Sequence, residues 1–351
     1  MSKSKIFFMH VAKTGGSYVN DVFIKSIGAE NCLVHCEQIM QDESAFRELL
    51  AQKSFGSGHV YYKDWVRLAG QLKPEFLTVS VVRRPLEHLK SHLLFTNNFN
   101  KPQFKKMTEA LALGEDLMRA LDEVALVDFS NYHDIKQFLC SMSPKSTELF
   151  NNCQSRYFLC EANMNSTLKL ETSHINPLLS ALPQFDLIGL NENIDFFLTR
   201  LQHMSGIRLD IHKDIVNKTI SNFDFDIHDE KITRVLKHNT EIDELLYQTV
   251  LAQTNRALSE RVVELEDLVL TANERASAAG RVWAELRNQL ACARDELQRR
   301  ALSLDAVQAQ LALISAERDA VVTSLPWRMI RKVGRMSLRT GLKPSPKVFA
   351  S

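Results

Sequence analysis

Residues 5–18, KIFFMHVAKTGGSY, join a short apolar run to a glycine-rich turn that contains one lysine. The apolar run is typical of a buried strand, and the turn lies where a helix is expected to begin. A helix N-terminus presents unpaired N–H groups and partial positive charge. Gly15 and Gly16 allow an anion to approach the backbone closely, and Lys13 adds a full charge. The stretch therefore predicts an anion-binding loop between a strand and a helix.

The composition of the 351-residue chain is that of a globular protein, with 45% hydrophobic and 24% charged residues. A formal net charge of +1 gives no overall attraction to nucleic acid, so no nucleic-acid partner is expected. The six cysteines form no C-x-x-C pair, which favours reduced thiols and a cytoplasmic location. No stretch approaches the roughly 20 apolar residues that a membrane span needs.

The sequence predicts three regions, of which the first, residues 1–252, alternates β-rich runs with amphipathic helical patterns. This alternation predicts an α/β domain with a central parallel sheet and helices on its faces. The predicted strands lie in KIFFMHV (5–11) and FLTVSVV (76–82) and, with weaker patterns, in FGSGHVYY (55–62) and FDLIGL (185–190). The predicted helices include ESAFRELLAQK (43–53) and DFFLTRLQHM (195–204).

The two remaining regions differ sharply from the first in composition. Residues 253–322 carry an apolar seam in steps of four and three residues, which predicts one long coiled-coil helix that self-associates. A solvated single helix and a helix packed on the domain are the alternatives. Residues 323–351 contain seven basic residues and no acidic one, which suits either an anionic membrane surface or a disordered basic tail.

A second cationic segment, VSVVRRPLEHLKSHLLF (79–95), follows another predicted strand. That strand ends at Val82 and is followed by Arg83, and Pro85 fits the first turn of a helix. Ser91 lies about two turns into the helix, where its hydroxyl can share a ligand with Arg83. Because α/β proteins bind ligands at the carboxyl ends of parallel strands, both cationic segments are expected at one edge of the sheet. A nucleoside-triphosphate P-loop is disfavoured, because it needs glycines before the lysine.

Together these two segments resemble the donor-binding motifs of the carbohydrate sulfotransferases. HVAKTGGSYV (10–19) is similar to the 5′-phosphosulfate loop of that family, and VVRRPLEHLKSHLLF (81–95) is similar to its 3′-phosphate strand and helix. GSGHVYY (56–62) and NNCQSRYFL (151–159) resemble two further segments. The chain departs from the family at Ala12, where proline often stands, and at Arg84, where an acid or asparagine is usual. The resemblance covers roughly residues 5–252.

The resemblance implies a P-loop-like α/β fold, 3′-phosphoadenosine-5′-phosphosulfate (PAPS) as the donor, and a glycan hydroxyl as the acceptor. Lys13 is expected to stabilise the leaving phosphate and His59 to act as general base. His10, Glu87 and Glu192 are weaker candidates for the base, and a structural role is the alternative for His59. No metal is expected in the reaction. The implied donor-binding residues are Lys13, Thr14, Gly15, Gly16, Ser17, Tyr18, Arg83, Ser91 and Arg156.

Two other functions compete with this interpretation. One is a non-catalytic α/β domain whose coiled coil and basic tail organise a membrane-associated assembly, and the other is a nucleotide kinase of related fold. The tail segment SLPWRMIRKVGR (324–335) resembles a short segment that follows coiled coils in bacterial cell-surface polysaccharide enzymes. This resemblance implies a bacterial source and an envelope glycan as acceptor. A cytoplasmic protein whose basic tail meets an anionic membrane would lie peripherally on the inner membrane face.

Overall fold

The computed structural model describes residues 4–99, 114–162, 167–211, 225–275 and 280–323. The chain forms two compact units, Met1–Thr254 and Asn255–Ser351. This division lies two residues after the boundary predicted at residue 252. The basic tail predicted for residues 323–351 lies outside the described residues except for Thr323. None of the described helices is both long and apolar enough to cross a membrane.

The first unit is built on a parallel sheet, as the sequence predicts. In the described residues the sheet has five strands in the order β2–β3–β1–β4–β5, and every neighbouring pair is parallel. The α/β class and all four predicted strands are confirmed, whereas the two-residue strand β2 was not predicted. The strands are β1 (Lys5–Met9), β2 (Cys32–Leu33), β3 (Phe55–Gly58), β4 (Phe76–Val82) and β5 (Leu187–Leu190).

Helices cover the sheet and form a separate helical layer. The helices predicted at 43–53 and 195–204 are confirmed as α2 and α10. The described helices of the chain are α1 (Gly16–Ile27), α2 (Glu43–Ala51), α3 (Tyr62–Ala69), α4 (Pro85–Asn98), α5 (Glu115–Ala125), α6 (Tyr132–Cys140), α7 (Pro144–Phe150), α8 (Cys153–Leu159), α9 (Ile175–Ala181), α10 (Ile194–Ser205), α11 (Glu230–His238), α12 (Glu241–Arg275) and α13 (Gly280–Thr323).

Successive side chains of β1 point to opposite faces of the sheet, and both faces are buried. Phe7 and Met9 belong to one hydrophobic cluster, whereas Ile6 and Phe8 belong to the cluster on the opposite face. The first cluster contains Trp65 of α3, whose ring stacks on Phe7 at 3.6 Å between centroids. Residues of α2, α8 and the beginning of α12 complete the first cluster, and residues of α1 and α10 complete the second.

Strand order determines where a ligand can bind. From β1 the chain runs to β2 and β3 on one side of the sheet, then crosses to β4 and β5 on the other side. The direction of winding therefore reverses between β1 and β4. In open α/β sheets, ligands bind in the crevice beyond the carboxyl ends of the strands at this reversal. The two cationic segments follow β1 and β4, so both reach that crevice.

The described helices of the second unit differ from the single continuous helix that the sequence predicts. Helix α12 ends at Arg275 and α13 begins at Gly280, so the predicted seam across 276–279 lies outside the described residues. Val262 and Leu265 of α12 pack against Leu290 of α13 within the same chain. Because Asn255 meets Arg300 while Glu266 meets Arg294, the two helices run antiparallel. The same spacing of apolar residues suits both a helical hairpin within one chain and a coiled coil, so the sequence pattern could not distinguish the two.

We propose that the chain self-associates through the later part of α13, where leucine side chains are exposed. Leu302, Leu311 and Leu313 are 65%, 55% and 65% exposed, whereas Leu290 in the hairpin is 9% exposed. Leu302 and Leu313 lie on one side of the helix and Leu311 on the opposite side. Apolar side chains left in water on this part of α13 favour pairing with a second copy of the chain. We expect light scattering at micromolar concentration to show a dimer or larger species, and the double substitution L311E/L313E to shift it to monomer.

The control for this experiment is Val263→Glu, because Val263 is a 61% exposed apolar residue of α12, outside the later part of α13. The control variant should keep the mass of the parent. A parent chain that is monomeric, or a control that dissociates as fully as the double variant, contradicts self-association through the later part of α13.

Candidate functional site at the carboxyl edge of the sheet

The turn after β1 has the backbone geometry of an anion loop. Lys13 and Gly15 both have positive φ, 64° and 89°, so the chain turns sharply into α1. A side chain at Gly15 would collide with the amide oxygen of Asn191, and one at Gly16 would collide with the ring of His10. Both glycines are therefore required for packing.

The N-terminus of α1 retains its positive character. Within the described residues, no side chain caps this helix, and its first turn, which includes Gly16 and Ser17, contains no acidic residue. The first N–H groups of a helix have no intrahelical acceptor, and their dipoles attract an anion. Thr14 does not add a hydroxyl to this surface, because its fully buried Oγ1 donates to the Val11 carbonyl at 2.8 Å. Thr14 thus shapes the loop, which differs from the predicted contact of its hydroxyl with the donor.

Arg83 comes to the same place from the neighbouring strand. Its Nη1 lies 3.5 Å from the Lys13 carbonyl oxygen, which brings the two predicted cations together. The backbone of Arg83 is clamped by Gln154, whose Oε1 accepts from the Arg83 N–H at 2.8 Å and whose Nε2 donates to its carbonyl at 2.9 Å. Glu87 lies 3.5 Å from Nη2 of Arg83, so the guanidinium has an acidic neighbour.

Helix α4 extends this cationic edge with a polar and an apolar group. Ser91 is half-buried and lies one turn after Glu87, on the same helix face as the group that contacts Arg83. Phe95 lies a further turn along and is exposed, and the ammonium group of Lys13 is 4.0 Å from its ring centroid. The sequence analysis did not identify Phe95, because a phenylalanine in an amphipathic helix is usually a core residue.

The environment of Lys13 lowers the pKa of its ammonium group. Desolvation by the surrounding protein, with a smaller contribution from the positive charge of Arg83, lowers the pKa of Lys13 to about 8. Two cations held close together in a partly desolvated crevice form an unfavourable arrangement that a bound anion relieves. The electrostatics therefore favour a ligand with at least one negative charge beside Lys13.

His59 follows β3, the other neighbour of β1. Its Nδ1 lies 2.8 Å from the His10 carbonyl oxygen, which can only accept, so Nδ1 carries the proton and Nε2 has the lone pair. Its backbone N–H donates to Oε2 of Glu37 at 2.9 Å. His59 is exposed, and desolvation by the surrounding protein is the largest cause of its lowered pKa. A neutral imidazole with an available Nε2 is suited to accept a proton.

The remaining sequence candidates occupy structural positions. His10 is buried, its ring packs against Gly16, and burial holds its pKa well below the usual value. Arg156 is fully buried, and its guanidinium donates to the backbone and side chain of Asn151 at 2.7 and 3.0 Å. Tyr18 packs against the second hydrophobic cluster. These contacts are those of core residues and give no support to the predicted donor contacts of Arg156 and Tyr18.

Several residues that sequence reasoning missed or weighted lightly hold the site in place. Glu37 orients the His59 backbone, Gln154 clamps Arg83, and Glu192 accepts from the Arg84 N–H at 2.9 Å. Asn191 follows β5 and packs on Gly15. Polar residues directly after a predicted strand were the available signal for Asn191 and Glu192. No such signal exists for Gln154, which lies in a short helix far away in sequence.

Lys13, Arg83, His59 and the start of α1 thus follow the carboxyl ends of three neighbouring strands, at one edge of the sheet. We found no matching family model, no matching curated protein and no matching solved structure for this chain.

Proposed function

We propose that the chain is a sulfotransferase that moves a sulfuryl group from PAPS to a glycan hydroxyl. The observation that carries the proposal is the meeting of Lys13 and Arg83 at the winding reversal between β1 and β4, where Arg83 Nη1 lies 3.5 Å from the Lys13 carbonyl oxygen. A parallel sheet whose central strand leads into an anion loop is also what a P-loop-like fold requires. The sequence resemblance supplies the identity of the donor.

Each residue has a defined task in the proposed reaction. The loop of Gly15, Gly16 and Ser17 at the start of α1 holds the 5′-phosphate, and Arg83 with Ser91 holds the 3′-phosphate. His59 Nε2 takes the proton of the acceptor hydroxyl as the new O–S bond forms. The S–O bond to the 5′-phosphate breaks, and protonated Lys13 neutralises the charge that develops on the leaving oxygen.

The position of Thr14 favours this proposal over a nucleotide kinase. In a nucleoside-triphosphate P-loop, the hydroxyl that follows the lysine binds magnesium. Here the hydroxyl that follows Lys13 is buried and donates to the Val11 carbonyl. Sulfuryl transfer requires a positive charge at the leaving oxygen, which Lys13 can supply through its own ammonium group.

Two measurements test the proposed function. Calorimetry should show that adenosine 3′,5′-bisphosphate binds the full chain and that ATP with magnesium binds much more weakly. Radiolabelled PAPS should transfer label to at least one member of a panel of bacterial envelope polysaccharides and their lipid-linked precursors. Tight binding of ATP without binding of the bisphosphate contradicts the proposal and favours a kinase. Bisphosphate binding without transfer to any acceptor favours the non-catalytic alternative.

Replacement of Arg83 by alanine should weaken binding of adenosine 3′,5′-bisphosphate by about 10- to 100-fold, the cost of one charge-assisted phosphate contact. Arg84→Ala is the matched control, because the Arg84 side chain is instead engaged by Tyr247. The control should change affinity little. If the Arg83 variant binds the bisphosphate as tightly as the parent, the assigned 3′-phosphate site is wrong.

The proposed acceptor and cellular position follow from the resemblance of the tail. An envelope glycan or its lipid-linked precursor is the proposed acceptor, and the basic segment 324–335 is proposed to attach the protein to the inner face of an anionic membrane. Sedimentation of the full chain with vesicles that contain phosphatidylglycerol tests the attachment. Equal sedimentation with neutral vesicles contradicts it.

A further inference from the structure

Three side chains with metal-binding atoms meet in the interior of the first unit. His88 and His92 lie one turn apart on α4, and Cys153 is the first residue of α8. The ligand atoms of these three residues lie within 4.8 Å of one another, and all three residues are buried. The i, i+4 histidine pair is visible in the sequence, but the cysteine that joins it comes from a distant helix.

The hydrogen bonds of His88 leave one ring nitrogen for a further ligand. Nε2 of His88 lies 2.8 Å from the Ala12 carbonyl oxygen. A carbonyl only accepts, so Nε2 carries the proton and Nδ1 has the lone pair. Histidine ligands of metals usually donate their other ring N–H to a carbonyl or carboxylate, which fixes the tautomer and the ring orientation. His88 has this arrangement.

His92 provides the independent observation that points to a ligand. It is buried, and among the described residues its Nδ1 has no hydrogen-bond partner. The backbone of Leu149 hydrogen-bonds the same ring, which again engages one nitrogen and leaves the other. A buried polar atom without a partner is unfavourable, and such atoms are rare in native proteins. Coordination to a metal would satisfy it.

From this cluster we propose a structural Zn²⁺ site formed by His88 Nδ1, His92 Nδ1 and Cys153 Sγ. Nitrogen and thiolate ligands in this number favour Zn²⁺ over the oxygen-seeking Mg²⁺ and Ca²⁺. Binding releases the Cys153 thiol proton and leaves a net charge of +1 on the metal with its three ligands. Asp243 and Glu148 act electrostatically on the Cys153 sulfur and offset this charge, against an opposing effect of Arg156.

The geometry needs only a small adjustment for metal binding. Bonds of about 2.0–2.3 Å in a tetrahedral site place ligand atoms roughly 3.3–3.8 Å apart. The ligand atoms now lie within 4.8 Å of one another, so any pair must approach by at most about 1.5 Å. The site does not depend on the proposed transfer reaction. Because His88 also holds the Ala12 carbonyl, directly before Lys13, the metal stabilises the base of the anion loop rather than touching a substrate.

Elemental analysis of the full-length protein, purified without metal-affinity resin, tests the site. We expect about one zinc per chain. Because the ligands are buried, protein for spectroscopy should be expressed in zinc-depleted, cobalt-supplemented medium. Bound Co²⁺ should then show the near-ultraviolet thiolate charge-transfer band and visible d–d bands. A parent protein with neither zinc nor the cobalt bands overturns the proposal, whether or not the protein transfers sulfate.

Variants assign the metal to the cluster. Cys153→Ala should remove the charge-transfer band and the zinc, and His92→Phe should lower the zinc content to the same extent. Cys36→Ala is the matched control, because Cys36 is a buried cysteine outside the cluster and its variant should keep both signals. If a cluster variant does not fold, the parent measurement alone decides the question. A Cys153 variant that retains the thiolate band shows that the metal is elsewhere and overturns the assignment.

Discussion

Lys13→Ala is expected to lower the rate of sulfuryl transfer by at least about 10²–10³-fold, the usual effect of removing a group that stabilises charge in the transition state. The backbone should tolerate the change, because alanine and lysine bear the same steric cost at φ 64°. Single-turnover measurements with radiolabelled donor separate this effect from product release. Lys90→Ala is the matched control, because Lys90 is also a lysine whose ammonium group lies over a phenylalanine ring, that of Phe225.

The pH dependence provides a second measurement on Lys13. In the proposed mechanism the ammonium form of Lys13 is the active one. Because the pKa of Lys13 is lowered to about 8, kcat/KM should fall as the pH rises through about 8. Lys13→Arg keeps its charge to much higher pH, so any residual activity of this variant should lose that alkaline decline. Near-normal turnover of Lys13→Ala removes Lys13 from the proposed mechanism.

His59→Ala is expected to reduce turnover by ~100- to 10,000-fold, the usual range for loss of a general base. Affinity for adenosine 3′,5′-bisphosphate should change little, because the phosphates are assigned to Lys13, the glycine turn, Arg83 and Ser91. Stopped assays at saturating donor give the turnover, and calorimetry gives the affinity. His35→Ala is the control, because His35 is an exposed histidine that shares the neighbour Glu37 with His59.

The acid side of the pH profile belongs to His59 in this mechanism. Desolvation lowers its pKa, and Glu37 and the His10 carbonyl oppose that effect. The neutral form is the base, so activity should rise with pH through an ionisation below the unperturbed value of ~6.5 and should be fully developed above it. The His59→Ala variant should lose this rise, and added imidazole should restore part of its activity. Normal turnover in the variant returns His59 to a structural role and directs the search to Glu87 and Glu192.

The sheet was largely predictable, because strand alternation and strand-end turns are local patterns. KIFFMHV and FLTVSVV identify β1 and β4 by their apolar β-rich runs. Lys13 and Arg83 lie in the segments that follow these two strands. The shared edge then follows from the geometry of parallel strands. The two glycines after Lys13 marked the turn between β1 and α1, and the structure adds that Gly15 has positive φ there.

The remaining features depend on contacts between residues that are distant in sequence. An arginine in NNCQSRYFL does not reveal whether it reaches solvent, and Arg156 is in fact buried against Asn151. A hydroxyl after a lysine does not reveal its acceptor, which for Thr14 is the Val11 carbonyl. The spacing of apolar residues along a helix does not reveal what those residues pack against, so the packing of α12 on α13 within one chain was not predicted.

The contribution of α12 to the first hydrophobic cluster has a consequence for synthesis of the protein on the ribosome. Lys13, His59 and Arg83 are made early, but Ile242, Leu246 and Val250, which close one face of the sheet, emerge last from this unit. Until then the first cluster is incomplete, so the residues proposed for catalysis are made before the fold that positions them is complete. Domains generally fold as units during synthesis. A stalled chain that ends near residue 235 should therefore be protease-sensitive, whereas one with residues 1–254 outside the ribosome should be resistant.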